Sequence, residues 1–377
     1  MNMCKNVLTS VITIITLLAM AELFLRLYTD DAGVKYTLEK PEGQARQALC
    51  EYDGLMGWRH MAGVQVNLPI GKVSLNARGA RSRNIPYRKP AGAYRIVILG
   101  DSFAFGYGLD NHETLAYRLE TLLNKDENGP AYEAVNLGVS GYGTDQEYLV
   151  LLKEGVRYSP DLVLLVFFTT NDFAEADHKR AYNCGKPLLM VEPDNTLCLT
   201  NVPPPMPRSW TNKKGDLSSK SYLYRFIKSR KLKEFSWDAM TAPSSLPLPR
   251  RCSEDAVMPS KEKRVDLLLG EMKAVCESRG ARLLVIVVPW YRDFVSPVAR
   301  DFVFMAHALL QRNRVAYCSL WDIIQENGLD PRDLYCSDMA YHFTPAAVDL
   351  LVKIVEDYIR GRRNHNGIYA SKLQDCN

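Results

Sequence analysis

The 377-residue chain has no CxxC pair, no cysteine–histidine cluster at zinc-ligand spacing, no internal repeat and no low-complexity run. A structural zinc site and a repeat architecture are thereby set aside. It also has little excess charge of either sign: 47 basic against 43 acidic residues leave a formal +4, too small to imply a nucleic-acid partner. Gly138, Gly141 and Gly143 stand in the order G-x-x-G-x-G, and no acidic residue ends a following strand at the distance a dinucleotide loop needs. No cofactor and no metal are therefore expected. Of the six histidines, His60, His112, His178, His307 and His365 have no chemical partner at useful spacing and read as structural or solvated.

A long apolar run occurs in one place. Lys5 precedes an uncharged stretch over residues 7–21, and residues 23–25 continue it after the single Glu22. Residues 7–25 come close to the roughly 20 needed to span a bilayer as a helix. Residues 1–29 are thus expected to be a signal anchor, or alternatively a signal peptide cleaved near Ala21 in Ala19-Met20-Ala21. Either reading sends the bulk of the chain out of the cytoplasm, held at the cell membrane or released into the periplasm, because Lys5 stays on the inner side. No cysteine follows the small residues, so a lipoprotein anchor is not expected. Setting Cys4 aside leaves eight cysteines, an even number that suits an oxidising compartment. Cys184 with Cys198 is the expected bridge, since both lie in a loop-like stretch.

Residues 30–93 read as a leader, with a hairpin around residues 64–75 and a basic run of Arg78, Arg81, Arg83, Arg88 and Lys89. Strands and helices then alternate. Residues 94–99 (YRIVIL) form a strand, and residues 111–123 a helix with Asp110 and Glu113 as its capping box. A strand ending at residues 134–137 leads through a glycine-rich turn to a helix capped by Thr144 with Glu147 and stopped by Pro160. The uninterrupted apolar run 161–168 suits a central strand of a parallel sheet covered on both faces. Helices over 261–278 and 299–312, strands over 282–288 and 315–320, and a last helix from Thr344-Pro345 to about residue 360 complete the pattern. The fold class is α/β, three layers around an open parallel sheet of about five strands. Residues 174–259 interrupt it as a proline-marked insertion containing a basic amphipathic helix over 220–235, and residues 364–377 are a tail.

Open parallel sheets put their sites at the carboxyl ends of the strands. Gly100-Asp101-Ser102-Phe103 follows the first strand, Asn136-Leu137-Gly138-Val139-Ser140-Gly141 the second and Thr169-Thr170-Asn171-Asp172 the third, while His342 lies just ahead of the last helix. GDSF directly after an apolar strand, then N-x-G-x-x-G, then an apolar strand ending in N-D, resembles the SGNH (GDSL) hydrolase family over residues 94–172 and again around His342. The resemblance implies a flavodoxin-like SGNH hydrolase domain over 94–363 and an ester-cleaving serine nucleophile, Ser102. It further implies His342 as base and an oxyanion hole made by the amides of Ser102 and Gly141 and the side chain of Asn171. Asp101 and Asp172 read as turn-holding carboxylates.

This sequence departs from the family pattern at two positions. Thr169 stands where a glycine is usual, and Met339 where an aspartate normally precedes the histidine by three residues, which makes Asp338 the expected third member of the triad. Implied partners are a small-molecule or glycan ester and, through residues 7–25, a membrane. Two alternatives stay open: an O-acyltransferase acting on a cell-envelope glycan, and a non-catalytic carbohydrate-binding or assembly protein on the same scaffold.

Overall fold

The computed structural model describes residues 13–14, 16–21, 48–68, 71–126, 129–174, 178–181, 184–205, 244–295, 300–337 and 341–361. Two antiparallel hairpins come first: β1 (Cys50–Asp53) with β2 (Gly57–His60), and β3 (Gln65–Leu68) with β4 (Gly71–Ser74). The second is the hairpin expected around residues 64–75. From β5 (Tyr94–Gly100) the chain passes through the short helix α1 (Ser102–Phe105) and α2 (Leu115–Leu123) to β6 (Tyr132–Asn136), then through α3 (Thr144–Lys153) to β7 (Leu162–Phe168). Where the alternation stops there are two small hairpins, β8 (Arg180–Ala181) with β9 (Cys184–Gly185) and β10 (Leu188–Val191) with β11 (Leu197–Thr200). It resumes with α4 (Lys261–Ser278), β12 (Arg282–Val288), α5 (Tyr291–Val295), α6 (Asp301–Arg312) and β13 (Ala316–Ser319). The helices α7 (Leu320–Asn327) and α8 (Pro331–Leu334), the pair β14 (Tyr335–Cys336) and β15 (His342–Phe343), and α9 (Pro345–Arg360) end the described chain.

The main sheet has five parallel strands in the order β13-β12-β7-β5-β6. Side chains on β5 alternate between two cores: Val97 and Leu99 face α3, α4 and α6, whereas Ile96 and Ile98 face α2, α7 and α9. Helices therefore cover both faces, which is why β7 carries seven buried apolar residues in a row. The order in which strands are added reverses between β5 and β7, since β6 lies on one side of β5 and all later sheet strands on the other. That switch point opens a crevice at the carboxyl ends of β5 and β7.

Three local expectations are corrected. The helix expected over 111–123 is a 3₁₀ turn (Asn111–Glu113) followed by α2, with Thr114 extended between them. The Asp110/Glu113 box caps the turn, and the turn is tied down sideways because Asp110 Oδ1 accepts from Lys72 N and Asn111 Oδ1 from Ser74 N. At the start of α3 it is Gln146, not Glu147, that reaches back to the cap, Oε1 accepting from Gly143 N at 3.4 Å. Thr144 and Glu147 are turned inward and buried. Finally, Cys198 is bonded to Cys252 rather than to Cys184. Leu199 N donates to Arg250 O and Cys252 N to Leu199 O, so the chain from the far end of the insertion runs beside β11 and brings Cys252 to Cys198. Cys184 is buried in β9.

Much of the N-terminal apolar segment, the basic stretch 220–235 and the tail 364–377 lie outside the described residues. Among the described residues no helix is long and apolar enough to cross a membrane.

One buried carboxyl gives the fold a pH signature. Asp293 on α5 accepts from Trp290 N at 2.8 Å, yet burial raises it from 3.8 to about 6. Its folded value lies above its unfolded one, so between about pH 4 and pH 6 the native state holds a proton that the unfolded chain has released. Stability contributed by the neutral carboxyl is thus present below that window and lost as pH rises through it. Asp293→Asn keeps an acceptor for Trp290 N, and its unfolding midpoint should exceed the parent's at pH 7.5 with the gap closing by pH 4; equal gaps at both pH values would refute the assignment.

Candidate active site

The turn after β5 is built by three consecutive residues. Gly100 has φ +141°, and a Cβ there would stand 2.7 Å from Val166 O and 2.8 Å from the Ala104 Cβ, so no other residue fits the turn. Asp101 caps α1, its Oδ1 accepting from Phe103 N at 2.9 Å. Ser102 is the first residue of α1 and is buried to 8% exposure. Its Oγ lies 2.7 Å from His342 Nε2, across 240 residues of chain. β15 pairs with β14, setting His342 opposite Cys336. The imidazole is held between two rings, with centroids 4.9 Å from Phe103 and 4.6 Å from Tyr107. Both rings come from the serine's own turn, so the base is fixed relative to the hydroxyl it faces.

The second loop packs directly on this turn. Asn136 is buried, donates from Nδ2 to Ala104 O at 2.8 Å and accepts from Gly138 N at 3.0 Å, while Val139 N donates to Gly100 O. Gly138 is needed for that approach, since a Cβ would fall 2.6 Å from the Ala104 Cβ and 2.7 Å from Phe105 N. Gly141 follows with φ +81°. In the third loop, which leaves β7 as a π-helical turn over Thr170–Ala174, Asn171 Nδ2 donates to Asp101 Oδ2 at 2.5 Å. An amide nitrogen carries two hydrogens. One is committed to Asp101, which orients the Asn171 amide and leaves the other for a ligand. Asp101 holds its own turn, as expected, and also the third loop. Thr169, the departure from the family's glycine, is buried with its hydroxyl donating to Val288 O at 3.4 Å.

Behind Asn171 lies a buried polar layer of Asp145, Glu147, Asp172, Lys186 and Arg264. Asp172 accepts from the Thr144 hydroxyl at 2.7 Å, and Arg264 Nη1 stands 3.8 Å from Asp145 Oδ2. Burial pushes Glu147 and Asp172 well above the usual carboxylate range, with the charge of Asp101 raising both further and Asp172 adding to Glu147. Asp145 is also raised by burial, against the pull of Lys186 and Arg264. Burial and mutual repulsion thus both favour the protonated over the charged form of the Glu147–Asp172 pair.

The structure thus brings Ser102, His342, Gly141 and Asn171 to the carboxyl edge of the sheet, on the loops after β5, β6 and β7 and on β15. Asp338 lies outside the described residues. Sequence reasoning missed Tyr107 and Phe103 as the walls of the histidine, and it missed Trp58 and Arg81, which reach the site from the leader. Aromatics within five residues after the GDS serine were the available signal for the first two; the others carried none.

A hydroxyl and an imidazole in contact at such a switch point suit acyl transfer from an ester to the serine. The arrangement puts the chain among α/β enzymes that act on ester bonds. The family follows from the sequence: the model of the GDSL-like lipase/acylhydrolase family matches residues 98–350, and the chain belongs to that family. No curated protein matches it. Among solved structures it is similar to TesA, at 13% identity and TM-score 0.40 over 71% of this chain and 99% of that one. It is also similar to the lipase/acylhydrolase from Enterococcus faecalis (13%, 0.38, 74% and 99%). A third is a two-domain esterase active on acetylated mannans (12%, 0.39), where the match covers 74% of this chain and 52% of that one.

Proposed function

We propose that the chain hydrolyses esters through an acyl-Ser102 intermediate. The observation that carries the reading is the 2.7 Å approach of Ser102 Oγ to His342 Nε2. As Oγ attacks the ester carbonyl, its proton passes to His342 Nε2, and the carbonyl oxygen becomes an oxyanion held by the amides of Ser102 and Gly141 and the second hydrogen of Asn171 Nδ2. Collapse expels the alcohol, which takes the proton from His342. Water then repeats the sequence on the acyl-enzyme, with His342 as base, and releases the acid. Asp338 is assigned to orient His342 through Nδ1. The substrate class is a small-molecule or glycan ester.

A fluorophosphonate probe tests the reading on the full chain. It should label Ser102, and the label should disappear in Ser102→Ala. Folded protein that stays unlabelled would favour the binding-module alternative, and acyl groups appearing on an added glycan would favour transfer over hydrolysis.

We also propose that residues 1–29 export the chain and, uncleaved, anchor it in the membrane, with the serine site on the outer side. A phosphatase fused after residue 377 should then be active in intact cells and sediment with membranes. An inactive fusion would reject export, and an active soluble one would point to cleavage near Ala21.

A further inference from the structure

The hairpin of β1 and β2 stands ahead of residue 98, where the family match begins, yet it grips the loop that carries Gly141. Trp58 is fully buried, and its indole Nε1 donates to Ser140 O at 3.2 Å. In return Tyr142 Oη donates to Trp58 O at 2.5 Å, and the two rings meet edge to face with centroids 5.5 Å apart. One residue pair on, Gln146 Nε2 donates to Met56 O at 2.8 Å. The turn of the hairpin is itself fixed, since Asp53 Oδ1 accepts from both Leu55 N and Met56 N. On another side Gly57 lets the hairpin press against β9, because a Cβ there would collide with Gly185 O at 2.0 Å.

The bonded carbonyl matters. Ser140 O belongs to the same peptide plane as the Gly141 N–H, and in a trans peptide the two point in opposite directions. A donor that holds Ser140 O from one side therefore sets where the Gly141 N–H points on the other. Holding is needed there, because Gly141 has φ +81° and glycine resists rotation of its flanking peptides less than any other residue.

We infer that Trp58 is a positioning residue for the oxyanion hole, its indole N–H fixing the peptide whose other end donates to the developing oxyanion. The inference rests on the ester-hydrolase reading above. It makes the hairpin ahead of the family-matched region a working part of the site rather than a leader.

The test replaces Trp58 by benzothienylalanine, which keeps the ring shape and exchanges the N–H for sulfur; Trp58→Phe is the second variant. Loss of an oxyanion donor outright typically costs ~10²–10³ in rate, and loosening one should cost part of that, about 10-fold in kcat. The expected result is this loss with KM within about twofold, the same pH profile and an unfolding midpoint close to the parent's. Unchanged kcat in the benzothienyl variant would overturn the inference. So would a parallel fall of kcat, KM and midpoint in both variants, which would mark Trp58 as packing alone. Absence of turnover and of Ser102 labelling in the parent would instead remove the hydrolase reading, and this inference with it.

Discussion

Replacing Ser102 by Ala is expected to lower ester turnover by ~10⁴- to 10⁶-fold without unfolding the protein. The change removes one oxygen at the first residue of α1 and leaves the turn intact, because Gly100 and the Asp101 cap form it without the serine side chain. What goes is the hydroxyl that lies 2.7 Å from His342 Nε2. His342→Ala should cost a similar factor, since a neutral serine hydroxyl is a weak nucleophile until its proton is accepted. The two losses should not multiply: the double variant should be no slower than either single one, because each removes the same step. A Ser102→Ala protein keeping a hundredth of parental turnover would sink the assignment of the nucleophile. Additive losses would mean that serine and histidine act in separate steps.

How much of this was legible depended on whether a feature was set locally or by a distant chain. The apolar runs of β7 and β12 are buried on both faces, so every residue after the exposed Arg282 carries the signal in β12 as all seven do in β7, and the run 282–288 coincides with the strand. The three strand-end loops were legible because a turn after an apolar strand leaves few residues able to act, and Ser102 and Asn171 are among them. What pairs with what was not. Thr144 and Glu147 match a capping box letter for letter, but both face the interior, where the Thr144 hydroxyl meets Asp172. Cys198 has Cys184 near it in sequence, yet the run at Arg250 to Cys252 lies beside β11, and no local pattern encodes that neighbour. Trp58 sits in a stretch of the leader whose sequence says nothing of Ser140. Asp101 was legible as a turn carboxylate, whereas its second bond, to Asn171, joins two strands that are adjacent only once the sheet forms.

Arg81 is the other residue whose role its surroundings in sequence conceal, and Arg81→Met should destabilise the protein by ~3–5 kcal/mol. In the sequence it is one charge among five in the basic run of the leader. In the fold it is 1% exposed and lies over the Phe105 ring, 4.5 Å from its centroid. Its guanidinium donates to Phe105 O, Gly106 O, Leu109 O, Lys72 O and Asn111 Oδ1. The first two are carbonyls at the end of α1, which a four-residue helix cannot satisfy by itself. Burial pulls the guanidinium down to about 10, opposed by Asp110 and Glu113, so it stays charged at neutral pH. Methionine fills similar space but takes this donor from Phe105 O and Leu109 O in a buried setting, each at about 1–3 kcal/mol before relaxation, whereas Gly106 O keeps Leu109 N and Asn111 Oδ1 keeps Ser74 N. Lysine should rescue little, because three donors on one nitrogen cannot reach acceptors spread along two loops. Urea unfolding of both variants decides the matter: a change within ~0.5 kcal/mol, as a surface substitution would give, would refute this role for Arg81. A large loss in both variants would show that the leader, through Arg81, and not the α/β domain alone, stabilises the fold around the serine turn.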